Sequence, residues 1–440
     1  MTKEKISVIG LGFVGLSVAV VNAMKGFHTL GIDIDDVKIK NLQQGKVSFF
    51  EPKLEKSLKS VLSSKKIEFS NDFMKILDSD ITFLTVGTPP KKSGDVDLSS
   101  IKSALSKISK VLESKEKYHL LVVKSTLSPE TTNKLIIPKF EKQISLNKMD
   151  VVVNPEFLQE GVAINDILDP HIIVIGGYNK KGIKFLIKYY KNFYKKLPEI
   201  IQVGVTTAEL IKYANNSFLA TKISFINSIA NICQKLPDVD VDSISYAIGK
   251  DNRIGPLFLQ AGPGFGGSCL PKDLSGLISF SKKIGNPSPF FEAVENVNAS
   301  QPKQIFTIMK NMEILSPKKT ISILGLSFKK NTDDIRESVS IKIVRKCLNY
   351  GLKIKVHDSM AITNFKKIFN DNIEYCESID SCLENSDCCI ILTDSDEYKK
   401  LKLHNFSNMN KKNIIDTRRI LNHKNFKNTN FYALGLGQFK

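Results

Sequence analysis

The chain has 440 residues, enough for two or three domains. Hydrophobic residues make up 42% and charged residues 25%, a balance that excludes disordered, collagen-like and disulfide-stapled chains. Lys and Arg number 63 against 45 Asp and Glu, a net charge of +18 that raises nucleic acid, membrane surfaces and small anions as partners.

The seven cysteines, Cys233, Cys269, Cys347, Cys376, Cys382, Cys388 and Cys389, are odd in number and form no CxxC pair. Neither a disulfide framework nor a metal site is expected, and a reducing cytoplasm fits. Ile6 to Met24 carries no charge and follows Lys3 and Lys5, as a signal peptide would. Gly10, Gly12 and Gly15 and the lack of a small-x-small site argue against that reading. No other run is long and apolar enough for a bilayer, so no membrane partner is expected.

Along the chain, Lys5–Gly10 reads as a buried strand, Gly12–Met24 as a helix and His28–Asp33 as a second strand. Asp80–Val86, Leu120–Lys124, Asp150–Asn154 and Ile172–Ile175 are further apolar strands separated by Lys-rich helical segments. This alternation predicts a parallel doubly wound sheet. Thr206–Lys235 lacks Pro and Gly and predicts a long spine helix, with Leu210, Tyr213, Phe218 and Ile226 at helical intervals. Helical segments continue to about residue 300, and Ser316-Pro317 marks a boundary. A second α/β unit follows: strand Thr320–Leu324, helix Ser338–Tyr350, and strands Lys353–His357, Asp387–Leu392 and Asn413–Asp416. The expected fold class is α/β, with two Rossmann-like doubly wound domains joined by a helical central domain. The expected boundaries are 1–200, 201–315 and 316–440.

Gly10-Leu-Gly12-Phe13-Val14-Gly15 follows a strand and opens a helix. Gly10 allows the tight turn, Gly12 admits a pyrophosphate to the backbone and Gly15 permits close helix–strand packing. Asp33 ends the second strand, where it accepts from a ribose diol and repels a 2′-phosphate, which favours NAD over NADP. Thr85-Val-Gly-Thr88-Pro-Pro90, Lys124-Ser-Thr126 and Asn154-Pro-Glu156 follow later strands and should face the same crevice, although turn chemistry alone also explains them.

Gly262-Pro-Gly264-Phe265-Gly266-Gly267-Ser-Cys269 gives a backbone able to wrap a ligand, with a cysteine next to a helix start at Pro271 and Asp273. A helix N-terminus and Lys272 would lower the thiol pKa. A nucleophilic cysteine in an NAD enzyme suggests aldehyde-level oxidation through a thioester; the bland alternative is a buried structural cysteine.

Together these motifs resemble the nucleotide-sugar 6-dehydrogenases of the UDP-glucose/GDP-mannose dehydrogenase family, and most closely their UDP-glucose branch. The resemblance also rests on Glu156-Phe157-Leu158-Gln-Glu160-Gly, Lys212-Tyr-Ala-Asn-Asn216, Cys269-Leu-Pro-Lys-Asp273 and Gly325-Leu-Ser-Phe328-Lys329 through Arg336-Glu-Ser338. It covers nearly the whole chain, up to Asp416-Thr-Arg418-Arg419. It implies a four-electron oxidation of a sugar C6 alcohol with two NAD+. Cys269 would be the nucleophile, Lys212 and Asn216 would steady an oxyanion, and Asp273 would position a water or the thiol surroundings. Glu156 would be the acid/base of thioester hydrolysis, with Thr126 holding the water. The cofactor contacts implied are Gly10, Gly12, Phe13, Val14, Gly15, Asp33, Lys38, Thr88, Glu160 and Arg336. The substrate contacts implied are Glu156, Phe157, Leu158, Glu160, Lys212, Asn216, Arg253, Phe265, Gly266, Phe328, Lys329 and Arg419. Arg253 would reach a partner subunit, so a homodimer through the spine helix is implied.

The Asn154-Pro-Glu156 and Ser268-Cys269 segments look like the UDP-glucose and GDP-mannose branches, whereas the N-acetylhexosamine branches usually carry His at Ser268; the resemblance favours UDP-glucose, with GDP-mannose or a UDP-N-acetylhexosamine as alternatives. A two-electron hydroxyacid dehydrogenase would not need Cys269. A nucleic-acid-binding protein would explain the charge, but the lysines are scattered with no compact basic block, so no nucleic acid partner is expected.

Overall fold

The computed structural model describes residues 3–427 and 429–437. The chain divides into two compact units, Met1–Asn215 and Asn216–Lys440.

The first unit is built on an eight-stranded sheet. Its strands are β1 (Ile6–Ile9), β2 (Thr29–Ile32), β3 (Ile67–Ser70), β4 (Ile81–Leu84), β5 (His119–Val123), β6 (Met149–Val153), β7 (Ile173–Gly177) and β8 (Ile200–Val203). They lie in the order β3-β2-β1-β4-β5-β6-β7-β8. The first six positions are those of a dinucleotide-binding sheet, in which the strand order reverses between β1 and β4. Strands β1, β4, β5 and β6 are buried along their whole length, as continuous apolar runs covered on both faces should be. One expectation fails: the sheet is not wholly parallel. β6 and β7 pair antiparallel through Val152 with Gly177 and Val153 with Gly176, while β7 and β8 pair parallel. An apolar run sets burial but not direction, so Ile172–Ile175 concealed the reversal.

The second unit carries a six-stranded sheet of β9 (Thr320–Leu324), β10 (Lys353–His357), β11 (Glu374–Tyr375), β12 (Cys388–Ile391), β13 (Asn413–Asp416) and β14 (Asn430–Ala433). Its order, β11-β10-β9-β12-β13-β14, repeats that of the first six strands. The echo extends to atoms. Gly10 and Gly325 have φ of 92° and 96°. Leu11 N–H donates to Asp33 Oδ2 at 2.8 Å, and Leu326 N–H donates to Asp358 Oδ2 at 2.7 Å. Each acid ends the strand beside the glycine turn.

The spine helix runs Val205–Cys233, 29 residues, within two positions of its predicted ends. Helices Leu270–Lys283 and Pro289–Asn311 pack beside one another in the second unit. Among the described residues no helix is long and apolar enough to cross a membrane.

Candidate active site

In the first unit, the carboxyl ends of β1, β4 and β5 are tied together by the motif side chains. Thr85 Oγ1 donates to the carbonyls of Ile9 and Gly10, both at 2.9 Å. Ser125 Oγ donates to Val86 O at 2.7 Å, and Thr88 Oγ1 donates to Thr126 O at 2.9 Å. Thr88 and Thr126 are thus held together at the sheet edge, where a dinucleotide binds in such folds.

The glycine turn fits a pyrophosphate. A Cβ on Gly12 would meet nothing within 4 Å, so the space before the helix is open. Helix Phe13–Met24 begins with no side-chain cap and no acid in its first turn, leaving Phe13 and Val14 at an N-terminus suited to an anion. A Cβ on Gly15 would sit 1.9 Å from Gly10 O, so that glycine is required by packing. Asp33 accepts from Leu11 N–H and, at 3.1 Å, from Asp35 N–H, and pairs with Lys38 Nζ at 2.8 Å. Burial opposes its charge, but Lys38 and the two N–H groups outweigh it and hold the carboxyl below the usual range. An ionised acid here suits a ribose diol and repels a 2′-phosphate.

Behind this crevice lies a charged cluster. Buried Lys212 donates from Nζ to Glu156 O at 2.6 Å and lies 3.4 Å from Glu156 Oε1. The same Nζ stands 5.3 Å from the Phe157 ring centroid, and Phe157 meets His171 edge-on at 5.8 Å. Leu158 N–H donates to Glu156 Oε2 at 2.5 Å. Glu160 follows in the same loop, half-buried, ahead of Gly161, whose N–H reaches Glu51 Oε2 at 2.6 Å. The structure therefore brings Glu156, Phe157, Leu158 and Lys212 together as the motifs implied.

Two further residues belong to this region: Lys124, from the Lys124-Ser-Thr126 motif expected at the crevice, and Glu209, which its sequence did not single out. Lys124 points towards the same cluster, and Glu209 on the spine helix accepts from Thr132 N–H at 2.8 Å. Burial pushes Glu209 up to about 7.

In the second unit, six of the seven cysteines are buried and Cys269 is exposed. It stands at the N-cap of helix Leu270–Lys283, with Pro271 in the first turn. Ser268 Oγ lies 3.5 Å from its Sγ. Lys272, expected to act on the thiol, instead pairs with Asp273 Oδ1. Asp273 is buried, and its Oδ2 accepts from Asn216 Nδ2 at 2.6 Å. Asp273, in the first turn of its helix, therefore holds the Asn216 amide. Lys212 and Asn216 are one turn apart on the spine helix.

The glycines before Cys269 permit close packing within the protein. A Cβ on Gly266 would lie 2.4 Å from Glu337 O, and one on Gly267 would lie 2.7 Å from the Phe328 ring. Gly267 N–H donates to Arg336 O at 2.9 Å, and Asn298 clamps Phe265 from both backbone sides at 2.7 and 3.1 Å. These contacts set Phe265 and Gly266 beside Phe328, whose ring centroid lies 6.0 Å from Lys329 Nζ.

The arginines divide. Arg418 is the one that turns to Phe328: its guanidinium donates to Leu392 O at 2.7 Å and Phe328 O at 3.2 Å, beside Gly262. Arg419, the expected substrate contact, has a φ of 58° and pairs with Asp240 and Asp242. Arg336 forks onto Asp334, and Arg253 forks onto Asp251 with its side chain exposed.

Comparison with known proteins gives this layout a family. Residues 4–194 match the NAD binding domain of the UDP-glucose/GDP-mannose dehydrogenase family, 206–300 its central domain and 322–423 its UDP binding domain. The chain belongs to the UDP-glucose/GDP-mannose dehydrogenase family. Like this family, it is an NAD-dependent oxidoreductase, and NAD is its cofactor. It is 39% identical over 420 residues to the UDP-glucose 6-dehydrogenase of Rickettsia bellii, covering 94% of this chain and 95% of that one. It is 36% identical over 423 residues to that of Haloferax volcanii, covering 95% and 97%. A solved UDP-glucose dehydrogenase from Pyrobaculum islandicum superposes with a TM-score of 0.91 at 33% identity, covering 99% of this chain and 98% of that one.

Proposed function

We propose that this family member oxidises the C6 alcohol of UDP-glucose to the carboxylate of UDP-glucuronate, with two NAD+ consumed per sugar. The observation that carries the mechanism is the exposure of Cys269 alone among seven thiols. The alcohol first loses a proton and a hydride to become an aldehyde. The Cys269 sulfur adds to that aldehyde, giving a thiohemiacetal. Loss of a second hydride and of the hydroxyl proton leaves a thioester, which water hydrolyses to the carboxylate, returning the thiol. Bound NAD+ supplies the hydride acceptor for both oxidations.

The residue roles are those that the family resemblance implies. Lys212 and Asn216 are donors for the developing oxyanion, and Asp273 orients the Asn216 amide. Glu156 takes the proton of the hydrolytic water, with Thr126 holding that water. Glu160, Thr88, Lys38 and Arg336 are proposed cofactor contacts. Phe157, Leu158, Phe265, Gly266, Phe328, Lys329 and Arg419 are proposed substrate contacts. Arg418 joins them because it is the arginine beside Phe328.

UDP-glucose is favoured by the UDP binding domain match, by the substrate named for the relatives and by Ser268 ahead of the cysteine. We keep the three-part organisation 1–200, 201–315 and 316–440 and a cytoplasmic location as part of this reading. Neither nucleic acid nor membrane enters it. A homodimer is also part of it: Phe218, Phe225 and Ile232 recur every seven residues on the spine helix and are 64%, 51% and 57% exposed. Such a stripe suits a second copy of the chain, with Arg253 reaching its site.

The test is a side-by-side assay of NADH formation with UDP-glucose, GDP-mannose, UDP-N-acetylglucosamine and UDP-N-acetylmannosamine. UDP-glucose is expected to exceed the others in kcat/KM by at least about a hundredfold. A higher value with any other sugar would reassign the substrate.

A further inference from the structure

The cluster around Glu156 contains one charge that the roles above leave unused. Lys124 follows β5 and lies among the ends of three strands. Its Nζ is 3.4 Å from Asn154 O at the end of β6 and 5.8 Å from the Phe83 ring centroid on β4. It lines a cavity of about 290 Å³ with Glu156, Phe157, Asp166 and His171. Glu156 is the acid nearest to it in electrostatic effect, yet that carboxylate already pairs with Lys212. Among the described residues Lys124 has no ion-pair partner of its own.

Two ammonium groups therefore share the Glu156 carboxylate, which pairs with Lys212 and leaves Lys124 without a carboxylate of its own. A partly buried ammonium with a single long hydrogen bond is a costly arrangement. It becomes favourable when negative charge arrives. The proposed oxidation generates that charge repeatedly, as an alkoxide, as a tetrahedral oxyanion and as the carboxylate product.

We propose that Lys124 is the charge-balancing, positioning residue of this cavity, acting beside the Lys212–Glu156 pair to favour the anionic stages of the reaction. The proposal rests on the C6-oxidation reading above. Its electrostatics are testable because Lys124 titrates within reach. Burial pushes its ammonium down to about 8, Glu156 opposes that and Lys212 adds to it. The other ionisable groups on the cavity wall are Asp166, Asp169, His171 and Tyr189, Tyr190 and Tyr194, the tyrosines being pushed up by burial. A lysine loses its charge as pH rises through its pKa, so the stabilisation it gives is present below pH 8 and lost above it.

The experiment compares kcat across pH 6.5–9.5 in the full-length enzyme, with NAD+ and UDP-glucose, for wild type, Lys124→Arg, Lys124→Met and Lys124→Ala. Wild-type kcat is expected to fall about tenfold per pH unit above 8. Arginine stays charged, so Lys124→Arg should lose that alkaline limb. Lys124→Met should lower kcat at pH 7 by roughly 10- to 100-fold while KM for both substrates stays within about threefold. Should arginine not fit, added ethylammonium should restore Lys124→Ala in a concentration-dependent way. Lys124→Arg with the wild-type limb, Lys124→Met with wild-type kcat, or a Lys124→Ala enzyme that ethylammonium leaves inert overturns the proposal. A wild type that oxidises no nucleotide sugar overturns the C6-oxidation reading and this proposal together. An active wild type with an unmoved limb in Lys124→Arg overturns this proposal alone.

Discussion

Replacing Cys269 by serine should lower production of the sugar acid by at least about a thousandfold, with NAD+ binding unchanged. A serine hydroxyl keeps its proton at neutral pH and is a far weaker nucleophile than a thiol, so the aldehyde would no longer be captured as a thioester precursor. The fold should tolerate the change, because Cys269 is exposed at a helix N-cap, a position that serine favours. The loss would then belong to chemistry and not to stability. Rapid-quench analysis should find no covalent sugar on the Cys269→Ser protein, whereas wild type should carry one. Any of the six buried cysteines is a contrasting case: Cys388 and Cys389 lie within β12, and burial pushes both thiols up, away from the reactive thiolate.

Gly15→Ala is expected to abolish measurable NAD+ binding and to destabilise the first unit by about 3 kcal/mol or more. The added Cβ would lie 1.9 Å from Gly10 O and 2.5 Å from Thr85 Oγ1. Neither neighbour is free to retreat. Gly10 N–H is bonded to Ile32 O at 2.8 Å, and Thr85 Oγ1 is bonded to the carbonyls of Ile9 and Gly10. The turn that presents the helix N-terminus must therefore deform. Gly12→Ala is the control, since its Cβ would meet nothing within 4 Å of the protein. It should fold like wild type and lose affinity only by crowding the pyrophosphate. Thermal melts with and without NAD+ separate the two: wild type gains stability from the ligand, Gly12→Ala gains less, and Gly15→Ala melts early with no gain.

Much of this was legible in sequence because several rules agree at the same residues. Gly10, Gly12, Gly15 and Asp33 sit at a strand end, a helix start and a second strand end, and no alternative element satisfies all four. The strands that escaped notice were those with weak pattern. Strand β3 has only four residues, Ile67–Ser70, directly after Lys65-Lys66, with one position exposed. Strand β8, Ile200–Val203, strand β11, Glu374–Tyr375, and strand β14, Asn430–Ala433, lie at sheet edges and are partly exposed, so none reads as a buried run.

Site residues were legible as motif members but not in their partnerships. Gly266 and Gly267 look like ligand-wrapping residues from sequence, and the fold adds that their lack of a side chain admits Glu337 and Phe328. Lys272 looks like a thiol activator by proximity along the chain, yet it is drawn to the buried Asp273 carboxylate. Lys124 stood inside a recognised motif without a role, because its importance comes from burial beside Glu156 and Lys212, which only the folded chain reveals. Arg418 and Arg419 are adjacent and chemically identical; the φ of 58° at Arg419 sends their side chains to different partners. The net charge of +18 finds no single site, although both proposed ligands are polyanions that a positive field would attract.

The central claim is that one enzyme carries the sugar from alcohol to carboxylate through Cys269. The most direct measurement is the number of NADH formed per UDP-glucose consumed by the purified enzyme, with the products identified in the same sample. About two NADH per sugar are expected, with UDP-glucuronate as the product and no free aldehyde in solution. A ratio of one with aldehyde released would contradict it.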